Sequence, residues 1–418
     1  MSSGKVKIQI YNLIGGNKLI NVDLLSNEQK DQVIYLCQEL VKIKSYSGEE
    51  KEVADKIKNY AEKSGFDEVI IDEMGNVLLT MNGDREGPTL LFDGHIDTVP
   101  VNVDKWDKDP FSGEIADGKI YGRGSSDMKG AVSAMISASI NFAAETNRKF
   151  PGKIVVSCSV HEERFEGVAT RKISEQVKPD YVVIGEATNL NLNRGQRGRA
   201  EIIVETYGKP AHSANPQEGI NAVIHMTDLL KAINELPITT NEVLGDGILE
   251  LTDIISSPYP GASVVPSKCT VTYDRRLLVD ETEESVLAPI NELIEKLKEK
   301  NKDFDAKAYY SKGEDLCYTG AKIESERFFP AWLFEEGEGF VNNTLKALKE
   351  INPNTELGHY SFCTNGSHFA GEKSIPTIGF GPSYEHLAHI DNEYIEIEQL
   401  LGATVGYLKI METLTKEK

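Results

Sequence analysis

The chain has 418 residues, enough for two or three domains, and its 40% hydrophobic and 27% charged residues are the balance of a soluble globular protein. A formal net charge of −21 repels phosphate-bearing partners, which excludes nucleic acid and anionic membrane surfaces as ligands. Five scattered cysteines (Cys37, Cys158, Cys269, Cys317, Cys363) show no CxxC spacing. No adequate apolar stretch follows Lys5 and Lys7 as in a signal peptide, and no apolar run reaches membrane length. The expectation is a reduced, cytoplasmic protein without a membrane span.

Residues 1 to 27 mix strand-like and turn-like pieces (Val6 to Ile10, then Gly15-Gly16) and are taken as an extension without an assigned role. A helix is predicted after Ser26, with Glu28 and Gln29 in its first turn, and a second from about Ser47 to Ser64, stopped by Gly65. Strands are predicted at Val69-Ile70-Ile71 and Val77-Leu78-Leu79, around a Gly75-Asn76 turn. The apolar run Leu90-Leu91-Phe92 then breaks at Gly94, and His95 and Asp97 follow two residues apart. On an extended chain such residues point to the same side. The pair reads either as a metal ligand with its orienting carboxylate or as a satisfied hydrogen bond at a strand terminus.

Next come Tyr121 to Gly130, containing Asp127, and a small-residue helix from Ala131 to Ala144. Strand 153–160 runs into His161-Glu162-Glu163, and strand 180–184 ends at Gly185-Glu186. This alternation predicts a mixed, largely parallel α/β sheet with helices on both faces, whose functional groups gather beyond the carboxyl ends of the strands. From Gly198 the order changes to strand 199–206, helix Gly219–Glu235, strands near 248–255 and 263–273, helix Glu281–Lys300 and a strand near 304–310. That βαββαβ order predicts an inserted ferredoxin-like lid, 198–312, within a catalytic domain made of 1–197 and 313–418. The second part closes with strand 376–381, a loop carrying His386 and His389, and a helix from Ile397.

His95, Asp127, Glu163, Glu186 and His389 are two imidazoles and three carboxylates, a donor set for two zinc-like ions. If Asp127 bridges, each ion gains one His, one Glu, the shared Asp and a shared water. Glu162 is then left uncommitted beside a ligand, where a general base belongs. Taken in isolation, an adjacent Glu pair is a solvated face.

The motifs Gly94-His95-Ile96-Asp97, Gly122-Arg123-Gly124 through Asp127-Met128-Lys129-Gly130, Glu162-Glu163, Gly185-Glu186 and Ala388-His389 with Asn392-Glu393 together resemble the dinuclear zinc peptidase and deacylase family. That family includes acetylornithine deacetylase, succinyl-diaminopimelate desuccinylase, aminoacylase and glutamate carboxypeptidase. The resemblance extends from about residue 28 onward. In the insert, Gly208-Lys209-Pro210-Ala211-His212-Ser213 is similar to that family's lid histidine motif and Asp274-Arg275-Arg276 to its lid arginine motif. Together with Gln196-Arg197-Gly198-Arg199, the latter resembles a branch named for selenium-metabolism hydrolases.

The resemblance implies that His95 and Glu186 hold one ion, that Glu163 and His389 hold the other, and that Asp127 bridges. It gives Asp97 to the orientation of His95, Glu162 to general-base work, His212 to the oxyanion, and Arg276, with Arg275 as fallback, to a substrate carboxylate. It further implies a cis peptide after Asp127, Zn2+ (or Co2+ or Mn2+) as cofactor, and a homodimer formed through the lid in which His212 serves the neighbouring site. The expected reaction is hydrolysis of the amide in a small N-acyl amino acid by a water bridging two zinc ions. The in-family alternative is a dipeptidase or other exopeptidase. Glu at position 186 leans towards deacylases and carboxypeptidases. Cys363-Thr364-Asn365-Gly366-Ser367 stands where relatives often carry Gly-Gly-Thr-Asp, so substrate identity does not transfer. From other classes, a non-catalytic metal scaffold gives no reason for Glu162, and a phosphoesterase lacks support from any P-loop. His161 is expected to face away from the metals and His225 to be structural. His359, His368 and His386 are open between substrate contact and structure. Arg194 to Arg199 are open between function and capping a domain junction. The segment 328–338 is open between packing on the lid and lying near the pocket.

Overall fold

The computed structural model describes residues 20–416, so the expectation for Val6 to Ile10 lies outside the described residues. The first helix, Asn27–Val41, starts where its cap dictates. Ser26 Oγ accepts the Gln29 N–H at 3.3 Å and Gln29 Oε1 accepts the Ser26 N–H at 2.8 Å, a reciprocal pair that satisfies two otherwise orphaned donors. The second helix begins at Lys51, later than Ser47. The buried Glu50 side chain turns back to accept the Gly48 and His161 N–H groups, which holds 47–50 as a turn.

Among the described residues, nine strands form the main sheet. The central strand, Arg85–His95, runs parallel to Pro151–Ser159 on one side and to Tyr181–Ile184 on the other, and Thr377–Gly379 continues the parallel set. Antiparallel strands flank them: Glu68–Ile71 with Val77–Asn82 at one side, Leu192–Gln196 at the other. Side chains alternate across the central strand. Leu90 and Phe92 enter the large core, under helices Asn27–Val41, Gly130–Glu145 and Ile397–Leu414, and Leu91 enters a second core with Ile173, Val182 and Tyr360. Burial of each such side chain contributes about 1.5–3 kcal/mol. The small side chains of Gly130–Glu145, among them Ala131, Ala134 and Ala138, are fully buried and let that helix pack against its neighbours closely.

The register aligns the strand ends: His95 lies opposite Ser159, and Asp93 opposite Ile184. Glu162 and Glu186, just past Ser159 and Ile184, therefore reach the edge where His95 ends.

The inserted region is built on a second, five-stranded antiparallel sheet, four of whose strands lie in the order Ile248–Ser257, Lys268–Leu277, Gly198–Tyr207, Asp305–Tyr310. Helices Ala222–Ile233 and Glu283–Lys300 cover it, and Met226, Leu229, Ile290 and Ile294 meet Ile202, Val204 and Val271 in a separate core. This is the ferredoxin-like order. The strand expected near 263–273 starts at Lys268 instead, just past Pro266, which lacks the N–H a ladder needs. The segment after the lid stitches both parts together: Phe328–Phe329 pairs with Ala200 and Arg199 of the lid, and Trp332–Leu333 with Gln196 and Gly195 of the main sheet.

Candidate metal centre

His95 ends the central strand, and Asp97 lies two residues beyond it; both are buried. The Asp97 carbonyl oxygen lies 2.9 Å from His95 Nδ1, and its carboxylate Oδ1 lies farther, at 3.5 Å. The carboxylate mainly serves three other donors: Ser47 Oγ–H at 2.7 Å and the main-chain N–H groups of Glu162 at 3.0 Å and Glu163 at 3.2 Å.

Asp127 sits in a short non-helical turn between Gly124 and Gly130, and its peptide bond to Met128 is cis. Its two oxygens face two imidazoles. Oδ1 lies 2.9 Å from His95 Nε2 and Oδ2 lies 3.1 Å from His389 Nε2. Glu186 Oε1 adds to the first group at 3.4 Å from His95 Nε2, and Glu163 Oε2 to the second at 2.8 Å from His389 Nε2. Glu162 Oε2 stands 4.0 Å from His95 Nε2. His95, Asp127, Glu162, Glu163, Glu186 and His389 are thus brought together from five separate stretches.

Among the described residues, no lysine or arginine forms an ion pair with Asp127, Glu162, Glu163 or Glu186. Burial, and then the neighbouring Asp127 charge, push the Glu163 carboxyl up to about 7 and raise that of Glu186. Glu162 is raised well above the carboxylate range, foremost by burial and further by Glu186, Glu163 and Glu166, with His95 opposing. Contacts with Asp127 and Glu163 raise His389 to about 10. Glu163 Oε1 is buried with no partner. Four converging carboxylates, an orphaned oxygen and two imidazoles fit divalent cations.

The lid residues lie elsewhere. His212 is exposed, and its Nδ1 accepts the Ala214 N–H at 3.0 Å; among the described residues no hydrogen bond or ion pair joins it to the cluster. Arg275 is tied within the lid, to Glu281 and to Thr239 Oγ1 at 2.9 Å. Adjacent strand residues face opposite sides, so Arg276 shares a face with Asp274, whose Oδ1 lies 2.8 Å from its Nε. Asp274 Oδ2 also accepts Arg199 Nε–H at 2.9 Å, and Arg199 Nη1 reaches Glu166 Oε1 at 2.8 Å across the junction. Arg194 and Arg197 donate to the carbonyls of Phe334 and Leu244.

The other histidines divide. His161 is buried with Nε2 3.3 Å from the Leu316 carbonyl, His225 lies against Asn301 and Phe304, and His368 is held between Ser174 and Glu372 at 2.7 Å each. His359 and His386 line an open cleft of about 630 Å³ walled by Ala187 to Asn189, directly after Glu186. The run that departs from Gly-Gly-Thr-Asp is built into the scaffold. Asn365 Nδ2 donates to Asp93 Oδ2 and Ser159 Oγ, both at 2.8 Å, and its Oδ1 accepts the Gly167 N–H at 2.9 Å. The roles of Ser47 and Asn365 leave no mark in the sequence, because a single polar residue in a loop carries no periodic signal.

A family model for peptidase family M20/M25/M40 matches residues 91–413. The chain belongs to this family. Membership makes the M20 chain a hydrolase of amide bonds, and its donor cluster accords with divalent metals. It is 35% identical over 389 residues to the uncharacterized protein YgeY of Escherichia coli K12, covering 91% of this chain and 94% of that one. It is 29% identical over 400 residues to a succinyl-diaminopimelate desuccinylase of Methylobacterium radiotolerans, covering 91% and 96%. Among solved structures, aminopeptidase PepT of Bacillus cereus superposes with a TM-score of 0.73 at 21% identity, over 95% of this chain and 100% of that one. An M20 metallo-carboxypeptidase of Sulfolobus solfataricus superposes with a TM-score of 0.69 at 16% identity, over 92% and 99%. These two share the M20 fold with this chain. All five cysteines are buried and unpaired, and among the described residues no helix is long and apolar enough to cross a membrane.

Proposed function

We propose that the chain hydrolyses the amide bond of a small N-acyl amino acid with the aid of two divalent ions, Zn2+ or in its place Co2+ or Mn2+. One observation carries this reading: Asp127 offers one oxygen to the His95 side and the other to the His389 side, and Glu162 stands beside the first group, farther from His95 Nε2, at 4.0 Å, than Asp127 or Glu186. His95 and Glu186 would hold one ion, Glu163 and His389 the other, and Asp127 both. Ions bound there would polarise the scissile carbonyl and lower the pKa of water.

The protein's own part in the reaction is proton transfer and positioning. Glu162 accepts a proton from the attacking water as the new C–O bond forms. It returns that proton to the nitrogen as the C–N bond breaks, releasing a carboxylic acid and an amine. Asp97 fixes the Glu162 main chain and backs His95 through its carbonyl. Arg276 supplies a guanidinium for the substrate carboxylate.

His212 reaches the oxyanion from a second copy of the chain. The strand Ile248–Ser257 is the unpaired edge of the lid sheet, and Ile248, Leu251, Ile254 and Ile255 along it are exposed. Such an edge pairs readily with its own copy across a two-fold axis. The reduced, unpaired thiols accord with a cytoplasmic location.

The test is a hydrolysis panel of N-acetyl amino acids, N-succinyl amino acids and dipeptides with added zinc, manganese or cobalt. Turnover of an N-acyl amino acid is expected. Turnover of dipeptides alone would move the chain to the exopeptidases, and a loaded protein that cleaves nothing in the panel would overturn the reading.

A further inference from the structure

Asp127 and His389 lie 262 positions apart in the chain, yet their separation must be held to a few tenths of an ångström if both are to serve one ion pair. The fold ties them through a residue four positions beyond His389. Glu393 is fully buried. Its Oε1 accepts the main-chain N–H of Ser126 at 2.8 Å and of Asp127 itself at 3.1 Å. Its Oε2 accepts the Gly124 N–H at 3.1 Å and Arg123 Nη1–H at 2.5 Å. Four donors from one short loop thus converge on one carboxylate. The main chain follows suit: the Glu393 carbonyl accepts the Gly122 N–H at 2.9 Å, the Ile390 carbonyl accepts Arg123 Nη2–H at 3.3 Å, and Tyr394 pairs with Tyr121.

We infer that Glu393 is a positioning residue that sets the bridging Asp127 against the His389 loop. The inference rests on the dinuclear reading above and adds to it a group that touches neither ion. The alternative is that Glu393 merely neutralises buried Arg123. The two differ in which donors matter. Positioning acts through the N–H groups of Ser126 and Asp127, whereas neutralisation acts through the guanidinium. Leucine in place of the glutamate removes the acceptor for all four donors, those of Ser126 and Asp127 included, whereas an amide could keep its oxygen on that pair.

The experiment compares Glu393→Leu, Arg123→Met and the double variant of the full chain. Zinc affinity is read by competition with a chromogenic chelator, and the unfolding midpoint of each metal-free protein is read alongside. Glu393→Leu and the double variant are expected to bind the weaker ion about 10- to 100-fold less tightly, the range for groups that orient metal ligands. Arg123→Met is expected to keep both affinities within about twofold while its midpoint falls. Wild-type affinity in Glu393→Leu, or equal metal loss in Glu393→Leu and Arg123→Met, overturns the inference. Where a single variant fails to fold, the double variant, which removes both buried charges at once, decides; a double variant that folds neither with nor without zinc marks a scaffold role and also overturns it. A wild-type chain that takes up fewer than two ions brings down the dinuclear reading instead.

Discussion

The Asp97 carboxylate accepts the main-chain N–H of Glu162 at 3.0 Å, while the same residue's carbonyl oxygen lies 2.9 Å from His95 Nδ1. One residue therefore sets both a strand-end imidazole and the turn that carries the proposed base. Asp97→Asn keeps the main-chain contact but loses one of the carboxylate's two acceptor oxygens, so Ser47, Glu162 and Glu163 compete for what remains. The expected result is a fall in turnover of about 10- to 100-fold. Ser47→Ala, which removes one donor and leaves both carboxylate oxygens, should cost far less. Steady-state kinetics on the two variants check the ranking.

Base and ligand are separable. Glu162→Ala is expected to retain both ions and to lose about 10²–10⁴ in turnover, the range for a general base. Glu163→Ala removes one of the two carboxylates beside His389 and should lose metal as well as activity. Metal analysis of the purified variants decides, and equal metal loss in both would contradict the assignment.

Metal uptake should release protons and strengthen as pH rises. Without metal, His389 is raised to about 10 by Asp127 and Glu163, so its imidazole is protonated at neutral pH and must lose that proton before it ligates. A raised folded pKa means that the His389 contacts stabilise the metal-free fold fully below the unfolded value of about 6.5. That contribution is lost as pH rises through about 10. Calorimetric titration of zinc at pH 7 in buffers of different ionisation enthalpy should therefore show net proton release, and a His389→Ala variant should release less.

Gly381 is held at the strand end by main chain. A Cβ there would lie 2.1 Å from the Gly185 carbonyl oxygen and 2.3 Å from that of Glu186. Backbone at that distance cannot swing aside as a flexible side chain does. Gly381→Ala should destabilise the fold by about 1–3 kcal/mol or more and displace Glu186. A lower unfolding midpoint together with weaker zinc binding is the expected pair of readings.

The proposed dimer, with His212 serving the neighbouring site, predicts complementation. Glu162→Ala and His212→Ala should each be nearly inactive alone. After subunit exchange, one site of each mixed dimer contains Glu162 from one chain and His212 from the other, and activity should return. A mixture that exchanges subunits, shown by mass-tagged chains, yet stays inactive would place His212 in its own chain's site.

Much of the architecture was legible in the residues. Apolar runs such as Leu90-Leu91-Phe92 and the Ser26 cap announce elements locally, and parallel strands bring their carboxyl ends to one edge, which is why His95, Glu162, Glu163 and Glu186 converge. Tertiary structure decided what depends on partners far along the chain. Glu393 meets Asp127 from 266 positions away, Asn365 meets Asp93 from 272, and neither pairing leaves a periodic trace. Phe328–Phe329 and Trp332–Leu333 are strands only because Arg199 and Gln196 leave a free edge beside them. Local sequence sets which segments become strands and helices through side-chain period and capping. Which carboxylate faces which imidazole is set by strand order and register, and these follow from how whole faces are buried.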